Sequence, residues 1–287
     1  MSRTAYVNGR YLLQRDACVN VEDRGYQFAD GVYEVVYLRA GRFVDEGLHL
    51  ARLARSLREI AMPMPMGEPA LRHVLQEVAL RNRLRDGLLY MQVTRGVAPR
   101  GHAFPVQPPK PSVVVTIRRM PAFPRDVARW AGAAITRPDE RWARCDIKSI
   151  GLLPNVLAKE AARKQGAYEA VLVNAAGEVT EGASSSFWIV DEHGALRTRH
   201  LDHAILPGCT RAALVALAAE SGIAIDERGF SVNEMRRAQE AFVTSASSFV
   251  KPITAIDGAP VGGGAVGPVT RRLFDLFARH VNGNANA

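Results

Sequence analysis

The chain has 287 residues, 47% hydrophobic and 23% charged, which is the composition of an ordinary folded protein of one large or two modest domains. No apolar run approaches the ~20 residues of a membrane helix, and the start lacks the layout of a signal peptide. The three cysteines are scattered along the chain without the spacing of metal ligands. The formal net charge is +8, but the arginines are spread along the chain without a basic block; this disfavours nucleic-acid binding, and attraction of small anionic substrates explains the charge as well. We therefore expect a cytoplasmic protein with neither a membrane nor a nucleic acid as its partner.

The first part of the chain alternates predicted strands with amphipathic helices. Asn8-Gly9 predicts the two-residue turn of a hairpin, and Glu22–Gly31 is predicted as a loop rich in polar side chains. The other elements follow from apolar residues at helical spacing or from β-branched and aromatic runs. In order, the predicted elements are the hairpin Tyr6–Leu12, strand Val32–Leu38, helices Leu48–Ile60 and Glu68–Arg83, and strands Leu88–Thr94 and Ser112–Ile117.

The segment Arg119–Arg125, with Pro121 and Pro124, is the best candidate for a linker between domains. We predict a small N-terminal domain over residues 1–119, a linker over 120–124 and a larger C-terminal domain over 125–287. The elements predicted beyond the linker are strand Ala133–Thr136, helix Pro154–Gln165, hairpin Ala170–Glu181, strand Phe187–Val190, helix Thr210–Ser221, a short helix from Val232, strand Ala241–Thr244 and helix Pro268–Val281. Helices that alternate with short strands in two halves predict an α+β architecture.

Lysine is rare in this chain, and its rarity directs attention to Lys148. Only five of the 37 basic residues are lysines, at positions 110, 148, 159, 164 and 251. Unlike arginine, lysine loses its proton when it is desolvated, and its amine then acts as a nucleophile or base. The neighbours Ile147 and Ile150 indicate partial burial, although an ordinary surface lysine is the alternative from this context alone.

Two segments offer hydrogen-bond donors suited to a phosphate group. Leu206–Arg211 predicts a sharp turn into a helix, whose unpaired N–H groups and dipole attract phosphate. Thr244–Ser248 adds hydroxyl and N–H groups at the end of a predicted strand. The alternatives are an ordinary N-cap at Thr210 and a solvated loop at the second segment.

Two further segments carry charges that suit an amino acid substrate. Glu181 ends a predicted strand before a turn of small residues, where a buried carboxylate holds a proton on a heterocyclic nitrogen. Arg95, Arg100 and His102 lie in one loop, and a guanidinium fork suits a carboxylate clamp. A solvent-facing carboxylate and a basic surface loop are the alternatives. An amine, a phosphate site, a lone carboxylate and a carboxylate clamp are together what a pyridoxal-phosphate enzyme acting on amino acids requires.

Seven motifs of the chain resemble those of the D-amino acid aminotransferases, which belong to the branched-chain-type, fold type IV pyridoxal-phosphate enzymes. The motifs follow the family order and cover most of the chain. In order they are Asp23–Glu34, His49–Leu53, Val93–Gly96, Pro99–His102, Arg144–Ser149, Val179–Gly182 and Phe242–Ser245. The resemblance implies an α+β fold of type IV, with a small N-terminal α/β domain and a larger C-terminal pseudo-barrel domain that carries the cofactor lysine.

The resemblance also implies a site for pyridoxal 5′-phosphate. Lys148 matches the catalytic lysine that binds this cofactor covalently, and Glu181 matches the carboxylate beside the pyridine nitrogen. The positions that match the phosphate contacts are Arg52, Cys209, Thr210, Ser245 and Ala246. There are two departures: Ala246 stands where relatives often have threonine, so that only its backbone N–H serves the phosphate, and Ala183 replaces a frequent serine.

For the substrate, the resemblance implies that Tyr33, Arg100 and His102 bind the α-carboxylate, the last two reaching over from the partner of a homodimer. The implied reaction is transamination between a D-amino acid, such as D-alanine or D-glutamate, and 2-oxoglutarate or pyruvate. A branched-chain L-aminotransferase, an aminodeoxychorismate lyase and an (R)-amine transaminase share Lys148, Glu181 and the phosphate site, and are the alternatives within the fold. The pair Arg100 and His102 favours the D-amino acid enzyme, because it is the D-specific feature of the resemblance. A basic nucleic-acid-binding protein, from another class, explains the charge but not the ordered motifs.

Overall fold

The computed structural model describes residues 3–121 and 123–283, and these divide into two compact units. The first unit contains the described residues of Met1–Ala122 together with Ile147–Gly151. The second contains the described residues of Phe123–Asp146 and Leu152–Ala287. The short segment that carries Lys148 thus packs with the first unit, whereas the domain bounds at residues 119 and 125 stay a prediction.

The first unit is built on a six-stranded sheet in which every neighbouring pair is antiparallel. Its strands are β1 (Thr4–Val7), β2 (Arg10–Leu13), β3 (Gly31–Arg39), β4 (Arg42–Phe43), β5 (Gly87–Thr94) and β6 (Ser112–Arg119), in the order β2-β1-β6-β5-β3-β4. Asn8 and Gly9 turn β1 into β2 with φ of 48° and 93°, as a two-residue turn with the twist of a hairpin requires. The predicted first hairpin is therefore confirmed.

Three helices accompany this sheet: α1 (Arg24–Phe28), α2 (Glu46–Glu59) and α3 (Glu68–Arg81), besides a single 3-10 turn at Gln14–Asp16. Helix α2 buries Leu50, Leu53 and Leu57 in the core of the unit, which confirms the spacing that predicted this helix. The prediction of a continuous loop over Glu22–Gly31 is wrong, because α1 lies within it. A side-chain cap starts this helix, since Asp23 accepts a hydrogen bond from the Gly25 N–H at 2.8 Å.

The second unit is built on a nine-stranded mixed sheet. Its strands are β7 (Gly132–Pro138), β8 (Glu169–Val173), β9 (Val179–Gly182), β10 (Ser186–Val190), β11 (Leu196–Thr198), β12 (Ile225–Glu227), β13 (Glu240–Ser245), β14 (Phe249–Ile256) and β15 (Ala259–Pro260). The order is β12-β11-β10-β13-β14-β7-β8-β9, and β15 pairs with β14. Strand β7 runs parallel to both β8 and β14, whereas β13 is antiparallel to both of its neighbours.

Five helices belong to the second unit: α4 (Val127–Trp130), α5 (Leu153–Lys164), α6 (Cys209–Glu220), α7 (Val232–Arg237) and α8 (Pro268–Asn282). Helix α8 packs on β13 and β14 and buries Leu273, Phe274 and Phe277. The two sheets with their surrounding helices confirm the predicted α+β class. Across the described ranges, no helix combines the length and the apolar character that crossing a membrane demands.

Candidate active site

Lys148 lies beside Tyr33 in the first unit. Its Nζ is 4.2 Å from the centroid of the Tyr33 ring, a distance at which a cation and an aromatic face attract each other. The backbone is tied on two sides, because the Tyr33 N–H donates to the Lys148 carbonyl at 3.0 Å and the Lys148 N–H donates to Ser56 Oγ at 3.3 Å. The side chain is half-buried, as its apolar neighbours predict. The amine is therefore held at a defined place over strand β3.

Arg52 on α2 is fixed by a buried carboxylate on the neighbouring strand. Its Nε and Nη2 donate to the two oxygens of Glu34, each at 2.8 Å, and His49 Nδ1 lies 2.7 Å from Glu34 Oε2. Burial alone would raise the pKa of Glu34, but the charge and hydrogen bonds of Arg52, together with His49, lower it to about 2. The carboxylate stays ionised, and the bidentate geometry fixes the orientation of the guanidinium.

Arg100 and His102 lie in an exposed loop that packs against α1. The guanidinium carbon of Arg100 is 4.6 Å from the centroid of Phe28, and its Nη1 is 3.4 Å from Gln27 Oε1. The ring of His102 is 5.5 Å from the same Phe28 ring. The pair therefore shares one aromatic platform at α1, whereas Tyr33 lies against Lys148.

In the second unit, Glu181 is the next-to-last residue of β9, and its buried carboxylate pairs with Arg141. The same guanidinium donates to both oxygens of Asp139, at 2.8 and 2.7 Å, and to the Ala204 carbonyl at 2.9 Å. The Leu206 N–H lies 3.3 Å from each oxygen of Glu181. The end of β9, the segment around Arg141 and the segment Ala204–Leu206 thus meet at the buried pair of Glu181 and Arg141.

The charges of this cluster do not balance, because two carboxylates face one guanidinium. Burial alone would lower the pKa of Arg141, but its hydrogen bonds to Asp139 and the charge of Glu181 raise it above its usual range. Burial likewise would raise the pKa of Asp139, and hydrogen bonds from Arg141 outweigh it and lower that pKa. Two carboxylates that share one guanidinium offer acceptor oxygens that suit a cationic N–H donor.

Helix α6 begins at Cys209, directly after its N-cap Gly208. Cys209 and Thr210, the first two residues of the helix, are buried. The N-cap residue Gly208 carries no side chain of its own to accept from the first N–H groups of this helix, which lie at the positive end of the helix dipole. A Cβ on Gly208 would come within 2.9 Å of Ser186 Oγ, and glycine permits this close approach. An anion fits this site, because the helix dipole and the N–H groups act together.

The turn after β13 lies next to this helix start. Ser186 pairs with Thr244 across β10 and β13, which brings Ser245 close to the start of α6. Ser245 Oγ accepts from the Ser248 N–H at 3.1 Å and lies 2.6 Å from Ser248 Oγ. Ala246 is half-buried in this turn. The two predicted phosphate segments therefore lie together in the second unit, beside the Ser186 hydroxyl, to which the sequence analysis assigned no role.

Comparison with known proteins identifies the family. Residues 31–256 match the family model described as amino-transferase class IV. The chain belongs to the class IV aminotransferases. This class IV aminotransferase is 41% identical over 278 residues to the D-alanine aminotransferase of Listeria innocua, with 96% of this chain and 95% of the relative covered. The D-alanine aminotransferase of Bacillus licheniformis is 39% identical over 268 residues, with 93% of each chain covered.

Solved structures share the fold of the class IV aminotransferase described above. The branched-chain amino acid aminotransferase from Escherichia coli has a TM-score of 0.87 at 24% identity, over 100% of this chain and 96% of that chain. A hypothetical aminotransferase from Mycobacterium tuberculosis, in its PLP-bound form, has a TM-score of 0.83 at 23% identity, over 98% of this chain and 99% of that chain. The predicted α+β fold of type IV, with its smaller N-terminal and larger C-terminal part, is thereby confirmed. The chain is an aminotransferase, as its motifs predict.

Three residues of the site carried no predicted role. Glu34 lies in the motif Asp23–Glu34, and Arg141 lies three residues before the motif Arg144–Ser149. Asp139 lies two residues before Arg141. Glu34 ends a family motif, which was the available signal for it. The contact between Arg141 and Glu181 joins residues 40 apart in sequence, so spacing alone does not reveal it.

Proposed function

We propose that this chain is a D-amino acid transaminase, which exchanges the amino group of a D-amino acid such as D-alanine or D-glutamate with a 2-oxo acid such as 2-oxoglutarate or pyruvate. The observation that carries the proposal is a match of about 40% identity, along almost the whole chain, to enzymes named D-alanine aminotransferase. The pair Arg100 and His102 supports it, since both side chains are exposed and cluster on one aromatic ring.

The cofactor of the proposed reaction is pyridoxal 5′-phosphate, and the residues present fit its groups. A helix start with a glycine N-cap and neighbouring serines fits the phosphate, and the two carboxylates around Arg141 fit a protonated pyridine nitrogen. When bound, the cofactor supplies an aldehyde and an electron-accepting ring. The residues we assign to its phosphate are Arg52, Cys209, Thr210, Ser245 and Ala246.

Lys148 is the proposed catalytic base. A primary amine moves the proton of the substrate Cα, provided that it faces that carbon and is held in place. Its backbone ties to Tyr33 and Ser56 support this role, because they restrict where Nζ can reach. Glu181, which pairs with Arg141, would hold a proton on the ring nitrogen of the cofactor.

The proposed substrate clamp consists of Tyr33, Arg100 and His102. When the α-carboxylate is held by a guanidinium fork, the configuration of the amino acid decides whether its single Cα hydrogen faces Lys148. We further propose a cytoplasmic homodimer in which Arg100 and His102 serve the site of the partner chain. The exposure of both side chains supports this arrangement, because they are accessible to a second molecule.

Borohydride reduction of the yellow protein, followed by peptide mass analysis, tests the proposal. We expect the reduced adduct on Lys148, and we expect Lys148→Ala to lose the colour and to lower turnover by more than about a thousandfold. Lys164→Ala, an exposed lysine at the end of α5, is the matched control. An adduct on another lysine would refute the assignment of Lys148. Activity with L-leucine and 2-oxoglutarate, but not with D-alanine, would favour a branched-chain enzyme.

A further inference from the structure

A buried charged cluster in the first unit lies outside the residues that we propose to bind the cofactor and the substrate, although the sequence analysis considered Arg95 for the carboxylate clamp. It consists of Arg24, Asp30 and Arg95, whose side chains are 4%, 11% and 9% exposed. Both guanidinium groups donate through Nε to the same oxygen of Asp30, at 2.8 Å from Arg24 and 2.7 Å from Arg95. Burial alone would raise the pKa of Asp30, but hydrogen bonds from Arg95 and Arg24 lower it. Asp30 is therefore an ionised acceptor shared by the two arginines.

The rest of the Arg24 guanidinium holds the loop of the proposed clamp. Its Nη1 donates to the Gly101 carbonyl at 2.6 Å, and its Nη2 donates to the His102 carbonyl at 3.3 Å. The guanidinium carbon also lies 4.9 Å from the centroid of Phe28, the ring on which Arg100 and His102 pack. One side chain thus contacts the backbone of the clamp and the platform beneath it.

Arg95 holds the far end of the same loop. Its guanidinium carbon lies 3.7 Å from the centroid of Phe104, and its nitrogens donate to the carbonyls of Ile60 at 2.7 Å and Ala61 at 3.2 Å. In the described chain, residues 98–111 contain neither helix nor strand. Contacts from side chains, rather than a hydrogen-bonded ladder, therefore determine the conformation of this exposed loop.

We propose that Arg24 is a positioning residue for the carboxylate clamp. By binding the carbonyls of residues 101 and 102, it directs the side chains of Arg100 and His102 and so sets the affinity for the carboxylate of the amino acid and of the 2-oxo acid. The inference rests on the proposed function of that pair. Arginine is required here, because its planar fork reaches Asp30 and two carbonyls at once, whereas one lysine nitrogen does not.

The test compares Arg24→Lys with the control Arg81→Lys. Arg81 on α3 makes similar contacts at the surface, where its side chain is 48% exposed: its Nε lies 3.0 Å from Glu77 Oε2 and its guanidinium carbon lies 4.2 Å from the centroid of Tyr11. For Arg24→Lys we expect KM for D-alanine to rise about tenfold while kcat stays within about twofold, and the control to match the wild type. Hydrogen exchange of residues 98–104 should become faster, and the cofactor absorbance should not change.

A second variant, Arg24→Gln, distinguishes a positioning effect from a folding defect. Arg24→Gln removes the charge as well as the fork, so KM should increase in the order wild type, Lys variant, Gln variant, at equal cofactor content. If KM of Arg24→Lys equals that of the control, or if kcat and cofactor content fall while KM is unchanged, the positioning role is wrong. Arg100→Ala is measured in parallel. If its KM is unchanged, it is the proposed clamp that fails; if its KM rises while that of Arg24→Lys does not, only the role of Arg24 fails.

Discussion

Arg141 and Glu181 form a buried ion pair in which Asp139 shares the guanidinium. The hydroxyl of Thr180 donates to Asp139 at 2.6 Å, which keeps the second carboxylate in place. Besides a longer contact to the Thr180 hydroxyl at 3.4 Å, four acceptors on three chain segments thus converge on the Arg141 side chain: both oxygens of Asp139, Glu181 and the Ala204 carbonyl. The carboxylate that we assign to the pyridine nitrogen is oriented by this arginine.

Arg141→Lys should therefore weaken cofactor binding. A lysine keeps the charge, but its single nitrogen does not serve four acceptors, so Glu181 loses its fixed orientation. We expect the dissociation constant of pyridoxal phosphate to rise about tenfold, measured by titrating the apoenzyme and following absorbance. Arg163→Lys is the control, because Arg163 also makes a two-pronged pair, with Glu160 at 2.7 Å on both contacts, but at the surface. Equal affinity in both variants would contradict the orienting role.

Glu34→Gln should destabilise the first unit. The amide provides one acceptor oxygen in place of two and places an N–H₂ group against Arg52 and His49, so a buried cation loses its counter-charge. We expect a loss of about 3 kcal/mol in the free energy of unfolding at pH 7, measured with urea. Glu77→Gln is the control, because Glu77 pairs with Arg81 at the surface and should cost less than about 0.5 kcal/mol.

Because Glu34 is paired with Arg52 and His49, its contribution to the free energy of unfolding depends on pH. Its pKa is about 2 in the folded chain, against 4.5 without these partners, so its contribution is complete above about pH 4.5 and is lost as pH falls through 2. The stability gap between the wild type and Glu34→Gln should be constant from pH 7 to pH 5 and then shrink towards pH 3. A gap that stays constant down to pH 3 would show that the pKa of Glu34 is not lowered.

Much of the fold is predictable because its pattern is local. Runs of β-branched and aromatic residues predict β3, β5 and β6, and apolar residues at helical spacing predict α2, α3 and α8. Strand β14 lies in the centre of the second sheet, yet its sequence does not predict it. Pro252 and Lys251 interrupt its apolar run, and a shift of register between Ile253 and Ala255 accommodates this irregularity. The short strands β11, β12 and β15 and the one-turn helix α4 have too few residues to show a period.

The candidate site was likewise predictable only in part. Lys148 stands out because lysine is rare, and the cluster around Glu181 becomes visible only when the chain is folded. Arg52 was assigned to a phosphate by resemblance, but its partner Glu34 lies 18 residues earlier on another element. Side chains that orient other side chains across a fold have no fixed spacing, so sequence patterns predict the reacting groups better than their supports.

Lys251 predicts a second effect of pH, in which a buried charge costs stability instead of contributing to it. Its Nζ lies 3.7 Å from the centroid of Trp130 and 4.2 Å from that of Tyr168, and it donates to the Trp130 carbonyl. Burial, with repulsion from Lys159, lowers the pKa of Lys251 from 10.5 to about 8. Between these values the unfolded chain binds more protons, so the stability of the wild type rises with pH in this window.

Lys251→Met removes the cost of the buried charge and should accordingly stabilise the protein at pH 7. We expect a gain of about 2 kcal/mol, since the attraction between the amine and the two rings already offsets part of that cost in the wild type. The gain should fade as pH approaches 10.5, where the wild-type amine is neutral in the folded chain and half neutral in the unfolded one. Urea unfolding at pH 7 and pH 10 measures it, with Lys164→Met at an exposed position as the control. If the difference between the variant and the wild type is the same at both values, Lys251 titrates normally.

Mixing Lys148→Ala with Arg100→Ala, at a D-alanine concentration well below the raised KM of Arg100→Ala, tests whether Arg100 serves the partner chain. Lys148→Ala supplies an intact clamp and Arg100→Ala supplies an intact amine, so a mixed dimer contains one complete site if the clamp acts across the interface. Random reassociation makes about half of the dimers mixed, each with one of two sites intact, and activity should return to about one quarter of the wild type. The matched control mixes Lys148→Ala with Lys148→Ala/Arg100→Ala, which contains no complete site and should stay inactive. If Arg100 acts within its own chain, the first mixture shows no gain over its parents, because no chain in it then carries both groups.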